Sequence, residues 1–135
     1  MKLTPNATDP AEVAAAAEGA GADAVSLINT LKGMALDPRT GRPWLGAGSG
    51  GVSGPAVRAV ALEQVAAVSR RVSIPVVGMG GIAGGRDAHD FLLAGASCIA
   101  VGTENFRDPA AGRRIGRELA SVSRNERGFF EVRSR

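Results

Sequence analysis

The sequence predicts an α/β fold built on a parallel sheet, and three observations carry that reading. Short apolar runs of strand length alternate with segments of helical period along the 135 residues. The runs "AVSLI", "IPVVGM" and "SCIAVG" lack strict apolar–polar alternation, as expected of strands buried on both faces in a parallel sheet. Glycine and small polar residues gather just beyond those runs, at the end of the sheet where α/β proteins carry their functional groups.

Taken in order, Met1 to Thr4 reads as a short extended piece closed by Pro5-Asn6. Thr8 or Asp9 then caps a helix that has Pro10 in its first turn and runs through "AEVAAAAEG" to Gly19. Ala24 to Ile28 is a strand ending in polar Asn29-Thr30. Residues 31 to 54 form the longest connection, and "LDPRTGRPWL" inside it predicts a small hairpin turning at Pro38 to Gly41. Gly54-Pro55 starts a helix in which Val57, Val60, Ala61, Val65 and Val68 follow helical spacing. "IPVVGM" is a strand, "GRDAHDFLLAGA" a helix and "SCIAVG" a strand, with Cys98 expected in the core. "DPAAGRRIGRELASVS" is a last helix with an Asp-Pro start. The resulting β-α-β-α-β-α-β-α order suits two architectures, an open doubly wound sheet and the (β/α)8 barrel.

Composition bounds what such a chain does. Its length is that of one ordinary domain. Hydrophobic residues make up 44% and aromatics 4%, with no tyrosine, so the core is built of small side chains. The 19 glycines are about twice the usual share and imply many tight turns. A single cysteine excludes an internal disulfide and a multi-cysteine metal site. No apolar run approaches the roughly 18 residues of a membrane span, and the N-terminus lacks a signal-peptide pattern. A cytoplasmic protein without membrane contact is expected. The net charge of +3 is concentrated late: from Arg107 onward, eight arginines face Asp108, Glu118, Glu126 and Glu131. With no lysine block or aromatic platform beside them, these arginines read as a solvated helix face and a basic tail, and nucleic acid is not an expected partner.

Four strand ends carry the candidate site: Lys2 to Asn6, Ile28-Asn29-Thr30, Gly78 to Ile82, and Gly102-Thr103. Five of the eight residues in "GMGGIAGG", Gly78 to Gly85, are glycine. Bare backbone N–H groups in this loop and in Gly102-Thr103, one βα unit later, are placed to share a phosphate. "GMGGIA" also fits the loose dinucleotide fingerprint, for which Glu104 stands as the acidic residue some 20 positions on. Against that, Gly84-Gly85 interrupts the helix that fingerprint requires, and the opening strand lies far upstream. The spacing favours the phosphate site formed by neighbouring loops of a barrel. Taken singly, Asn29 and Thr30 also suit ordinary turn chemistry, and Lys2 suits a solvated charge.

Read together, "KLTPN", "ADAVSLINTLKGMALD", "SGGVSGPAVR", "IPVVGMGGI" and "FLLAGASCIAVGTENF" resemble the dihydroorotate dehydrogenase family, in order and in register to about residue 110. The resemblance is strongest to the class 1B catalytic subunit, the FMN-bearing chain of the NAD-linked bacterial enzyme. The FMN domain of dihydropyrimidine dehydrogenase is a related alternative. The resemblance implies a partial (β/α)8 TIM barrel of about four consecutive βα units, a half-barrel over residues 1–121, followed by the basic tail 122–135. It implies FMN as cofactor, with Lys2, Ile28, Gly54, Gly80, Gly81, Gly102 and Thr103 holding it. Asn29 and Thr30 match residues that hydrogen-bond dihydroorotate or orotate. The implied activity is oxidation of dihydroorotate to orotate in pyrimidine biosynthesis.

The family's enzyme is about twice this long, and this chain matches its C-terminal half. The catalytic base, a loop cysteine, is expected in the N-terminal half, so no catalytic residue is assigned here. Cys98, set within a strand, does not match it. Met1 stands where the family's strand has another apolar residue, which suggests an internal start codon, a split gene or a gene fragment. The chain alone is therefore expected to be inactive, and to associate with an N-terminal half or with a second copy. A homodimeric, non-catalytic half-barrel that binds FMN or phosphate is the competing expectation. A subunit carrying FAD and an iron–sulfur cluster is the partner implied for electron transfer.

Overall fold

The computed structural model describes the backbone of residues 1–133 and the side chains of residues 1–122. The expected basic tail, 122–135, thus lies almost wholly outside the described side chains. Helix α1 spans Pro10–Gly19, and Asp9 caps it, its Oδ1 accepting from the N–H groups of Ala11 at 2.8 Å and Glu12 at 3.1 Å. Strand β1 is Val25–Leu27, β2 is Leu31–Gly33 and β3 is Gly50–Val52. A single 3-10 turn, Pro55–Val57, leads into α2, Arg58–Arg71. Then follow β4 (Val76–Gly78), α3 (Gly85–Leu93), β5 (Cys98–Ile99), α4 (Glu104–Arg107) and α5 (Ala111–Arg133).

The main sheet is parallel, in the order β1-β4-β5. Lys2 extends it by a parallel bridge to Ser26, reinforced by Leu3 N–H donating to the Ser26 carbonyl at 2.7 Å. Four extended pieces therefore lie side by side in their order along the chain, with no reversal of direction across the sheet. A doubly wound sheet binds its dinucleotide at such a reversal, and none exists among the described strands. The loose dinucleotide fingerprint at Gly78–Ala83 thus lacks its topological setting.

Helices α1, α2, α3 and α5 supply the core against one face of this sheet. Ala14 and Ala17, Ala61, Val65 and Val68, Ala88 and Phe91, and Ala111 and Ile115 are buried beside Val25, Leu27 and Val76. Each buried valine, leucine or phenylalanine contributes on the order of 1.5–3 kcal/mol. Phe91 lies over Gly78, where an added Cβ would stand 2.7 Å from Phe91 Cδ1. The opposite face is less covered: Ser26 and Val77, at the middle positions of β1 and β4, are only half-buried. Runs that look uniformly apolar in sequence thus alternate in burial.

Three local expectations need correction. Cys98 is exposed rather than in the core, because β5 pairs with β4 on one side and with no other described strand. Val60 is 38% exposed, and the buried stripe of α2 is Ala61, Val65 and Val68. The turn at Asp37–Gly41 is present, closed by Asp37 N–H to the Arg42 carbonyl and by a Leu36–Pro43 bridge. The larger pairing in that connection is antiparallel β2 with β3, Leu31 opposite Val52, which the sequence pattern did not disclose. No described helix is long and apolar enough to cross a membrane.

Candidate functional site

The parallel order brings every candidate strand end to one edge of the sheet. There Lys2, Ile28, Asn29, Thr30, Gly54, Gly80, Gly81, Gly102 and Thr103 line a single cavity of about 720 Å³. All nine residues picked out in the sequence are among its walls. Sequence reasoning missed Ser53, Asn105 and Phe106, which also line it, and gave Glu104 a dinucleotide role rather than a place in this wall. The one available signal was the aromatic Phe106 just past a polar strand end; the structure leaves it 93% exposed.

Gly80 and Gly81 follow β4 with φ of 132° and 74°, backbone that side chains of L-residues rarely adopt. Space excludes a side chain as firmly. A Cβ on Gly80 would lie 2.8 Å from Ala61 Cβ and 3.0 Å from Ile28 Cγ1. One on Gly81 would lie 2.8 Å from the Gly54 carbonyl oxygen and 2.9 Å from Arg58 Cβ. The loop is thus pressed onto the start of α2, with buried Gly54 (φ 88°) and buried Ile28 beneath it. Ile28 itself is fixed by its N–H donating to the Met79 carbonyl at 2.8 Å.

Beyond this point the loop is held by carboxylates. Asp87 Oδ2 accepts from the N–H groups of Ala83 at 3.0 Å and Gly84 at 3.1 Å. Glu118 Oε2 accepts from Gly85 N–H at 2.8 Å. The N–H groups of Ala83, Gly84 and Gly85 that lead into α3 are therefore taken by the protein's own acids. Among the described residues, the N–H groups of Gly80, Gly81 and Ile82 and those of Gly102 and Thr103 donate to no protein acceptor. Together with a cradle that a Cβ would fill, this fits a phosphate approached by bare backbone.

On the far wall, Asn29 and Thr30 are both exposed to the cavity. Asn29 Oδ1 accepts from Thr30 N–H at 2.9 Å, so turn chemistry is real here and uses the oxygen. Asn6 holds this stretch in place. Its Nδ2 donates to the Thr30 carbonyl at 3.1 Å, and its Oδ1 accepts from Lys32 N–H at 2.9 Å. Thr30 packs its side chain on Gly51 of β3.

Charge near the cavity is arranged in two networks. Arg58 Nη1 pairs with Asp87 Oδ1 at 2.7 Å and Asp90 Oδ2 at 2.9 Å. Arg114 donates Nε to Asp108 Oδ2 at 2.8 Å and Nη1 to Glu118 Oε1 at 3.0 Å. The hydrogen bond from Arg114 is the main cause that holds Asp108 below the usual carboxylate range. The same donor, and then Gly85 N–H, lowers Glu118. The reciprocal bonds from Asp108 and Glu118 raise Arg114 above its ordinary value.

Comparison with known sequences decides the family. The sequence profile described as dihydroorotate dehydrogenase matches residues 1–122. The chain belongs to the dihydroorotate dehydrogenase family. The catalytic subunit of dihydroorotate dehydrogenase B (NAD(+)) from Geobacter metallireducens is 56% identical over 133 residues, covering 98% of this chain and 43% of that protein. The subunit of the same name from Trichlorobacter lovleyi is 49% identical over 134 residues, 99% of this chain and 44% of its own. The one from Desulforamulus reducens is 56% identical over 115 residues, covering 85% and 38% respectively. This dihydroorotate dehydrogenase family chain thus spans well under half the length of the curated relatives it matches.

Proposed function

We propose that this chain supplies the FMN- and substrate-holding portion of a class 1B-like dihydroorotate dehydrogenase, which oxidises dihydroorotate to orotate in pyrimidine biosynthesis. One observation carries the reading: residues from four separate strand ends, selected by their chemistry, converge on one cavity. Family membership and the names of the relatives support the reaction. The sequential parallel order supports a four-unit segment of a (β/α)8 barrel, with residues 1–121 as the barrel portion and 122–135 as a basic tail.

In this reading the backbone N–H groups of Gly80, Gly81, Gly102 and Thr103 receive the FMN phosphate. Ile28 and Gly54 would lie against the cofactor, and Lys2 would bring a positive charge to the flavin, which would favour its reduced, anionic form. The chemistry FMN supplies when bound is two-electron acceptance of the hydride that leaves dihydroorotate. Asn29, through its free amide donor, and Thr30, through its hydroxyl, orient the substrate ring. The proton on the neighbouring carbon goes to a cysteine base expected in the N-terminal half of the barrel. Cys98 does not serve, because it lies within β5 and outside the cavity lining.

Three further elements belong to the proposal. The N-terminal half, or a second copy of this chain, covers the sheet edges. A subunit with FAD and an iron–sulfur cluster carries electrons on to NAD. The protein works in the cytoplasm. The test is dihydroorotate oxidation by the purified chain with added FMN, alone and co-expressed with an N-terminal half. Restored turnover with the half and none without it is expected. Turnover by the chain alone overturns the assignment of the base, and a co-purifying complex that never turns over overturns the proposed reaction.

A further inference from the structure

Two loops are asked to meet on one phosphate in the reading above, yet little joins them directly. The last backbone bond between their strands is Ala100 N–H to the Gly78 carbonyl, 2.9 Å. Past it, no described backbone hydrogen bond links residues 79–84 to residues 101–104. Their separation has to be set by something behind them.

That something stands on α5. Arg114 Nη1 donates to the Ala83 carbonyl at 3.3 Å, in the loop after β4. Its Nη2 donates to Glu104 Oε1 at 3.4 Å, at the end of the loop after β5. Both Ala83 and Glu104 line the cavity, whereas Arg114 does not. Among the described residues, Arg114 is the side chain that bonds to both loops. Its own place is fixed by Asp108 and Glu118 and by buried Ile115 beside it. Glu118 in turn fixes Gly85, where a Cβ would stand 2.5 Å from the Glu118 carbonyl carbon and from Leu119 N. Helix α3 therefore abuts the α5 backbone with no slack.

We infer that Arg114 is a positioning residue that sets the spacing of the two glycine loops, and so the convergence of their N–H groups on the phosphate. The inference rests on the phosphate reading of the cavity. The guanidinium is suited to this because its planar fork reaches four acceptors through three nitrogens, which a lysine ammonium cannot reproduce. Arg107, 79% exposed in its side chain, contacts Glu104 at 2.8 Å from the solvent side and reaches only one loop.

The experiment compares FMN with riboflavin, which carries the same ring system and no phosphate, on the full 135-residue chain. Arg114→Lys is expected to weaken FMN binding by about tenfold, the loss of one hydrogen bond to a charged group, with riboflavin affinity within twofold of the parent. Arg107→Gln is expected to change neither. Amide hydrogen exchange on the ligand-free chain gives a second reading: the Gly80–Ile82 and Gly102–Thr103 amides should both exchange faster in Arg114→Lys, with β1 and α2 unaltered. An equal fall for FMN and riboflavin, or an unchanged ratio, overturns the inference. If Arg114→Lys does not fold, Asp108→Asn, which frees the guanidinium from one anchor, should lower the same FMN-to-riboflavin ratio, and an unchanged ratio overturns the inference. A parent chain that holds riboflavin as tightly as FMN sinks the phosphate reading itself. The exchange comparison then still decides Arg114, which fails if the two loops do not respond together.

Discussion

The loop after β4 and the excursion from Leu31 to Val52 border the same cavity but are built in opposite ways. Gly80 and Gly81 are pressed against Ile28, Ala61 and Arg58, and the residues after them are tied to Asp87 and Glu118. The excursion has three-residue strands, and leaves Met34, Leu36, Trp44 and Leu45 exposed, Trp44 by 65%. A backbone that receives a phosphate gains by being held before the ligand arrives, since no ordering cost remains to be met on binding. The excursion is anchored at its base by Asn6 and by Thr30 against Gly51. Dense packing around the cavity is therefore concentrated at the glycine loop after β4 and the elements behind it.

The comparison breaks most readily at the packing under β4. Phe91→Ala removes the fully buried ring that lies over Gly78 and should cost about 3–5 kcal/mol. Denaturant unfolding measures this, and a loss under 1 kcal/mol would show that the ring does not support the strand. Gly81→Ala comes next. The positive φ and the contact with the Gly54 carbonyl together should cost about 2–3 kcal/mol and abolish FMN binding. Retention of the parent affinity would remove this loop from the proposed clamp.

Asn6→Ala tests the anchor of the excursion. Exposed bonds are partly replaced by water, so a loss of about 1 kcal/mol is expected, with faster amide exchange at Lys32 and none at Ile82. Acid titration probes the network behind the loops. Asp108 and Glu118 are depressed by their bonds from Arg114, so their contribution is present above the unfolded carboxylate values and lost as pH falls through the lower folded ones. Melting temperature should hold from neutrality to about pH 5 and decline below about pH 4, and more steeply in the parent than in Arg114→Lys. Equal slopes would deny the network any part in stability. The smallest effect is expected at Trp44→Ala, within about 0.5 kcal/mol. A loss above 1.5 kcal/mol would mean that the excursion is packed in solution and the contrast drawn here is false.

Much of the cavity's lining is legible in the sequence. Asn29, Gly80 and Thr103 each stand just past an apolar run, and parallel sheets gather such positions at one end. Asn6 was visible as the end of the first candidate strand, but its bonds to Thr30 and Lys32 were not, because they span 24 and 26 residues. Glu118 could not be seen as the partner of Gly85, 33 residues away, nor Arg114 as a link between loops. Cys98 was misread because an apolar strand has the same sequence whether central or at an edge; pairing decides its exposure.

Local chemistry, then, was determined by the sequence itself: which runs extend, where helices start at Asp9 and Pro10, and which turns need glycine. These depend on contacts within a few residues, so their signals are short and readable. Tertiary structure alone decided which strand ends are neighbours, that Asp87 and Glu118 take the N–H groups leading into α3, and that one arginine on α5 reaches both glycine loops. Such contacts join residues distant along the chain, and no local pattern encodes a partner that only the packing of helices on the sheet brings within 3 Å or so of its acceptor.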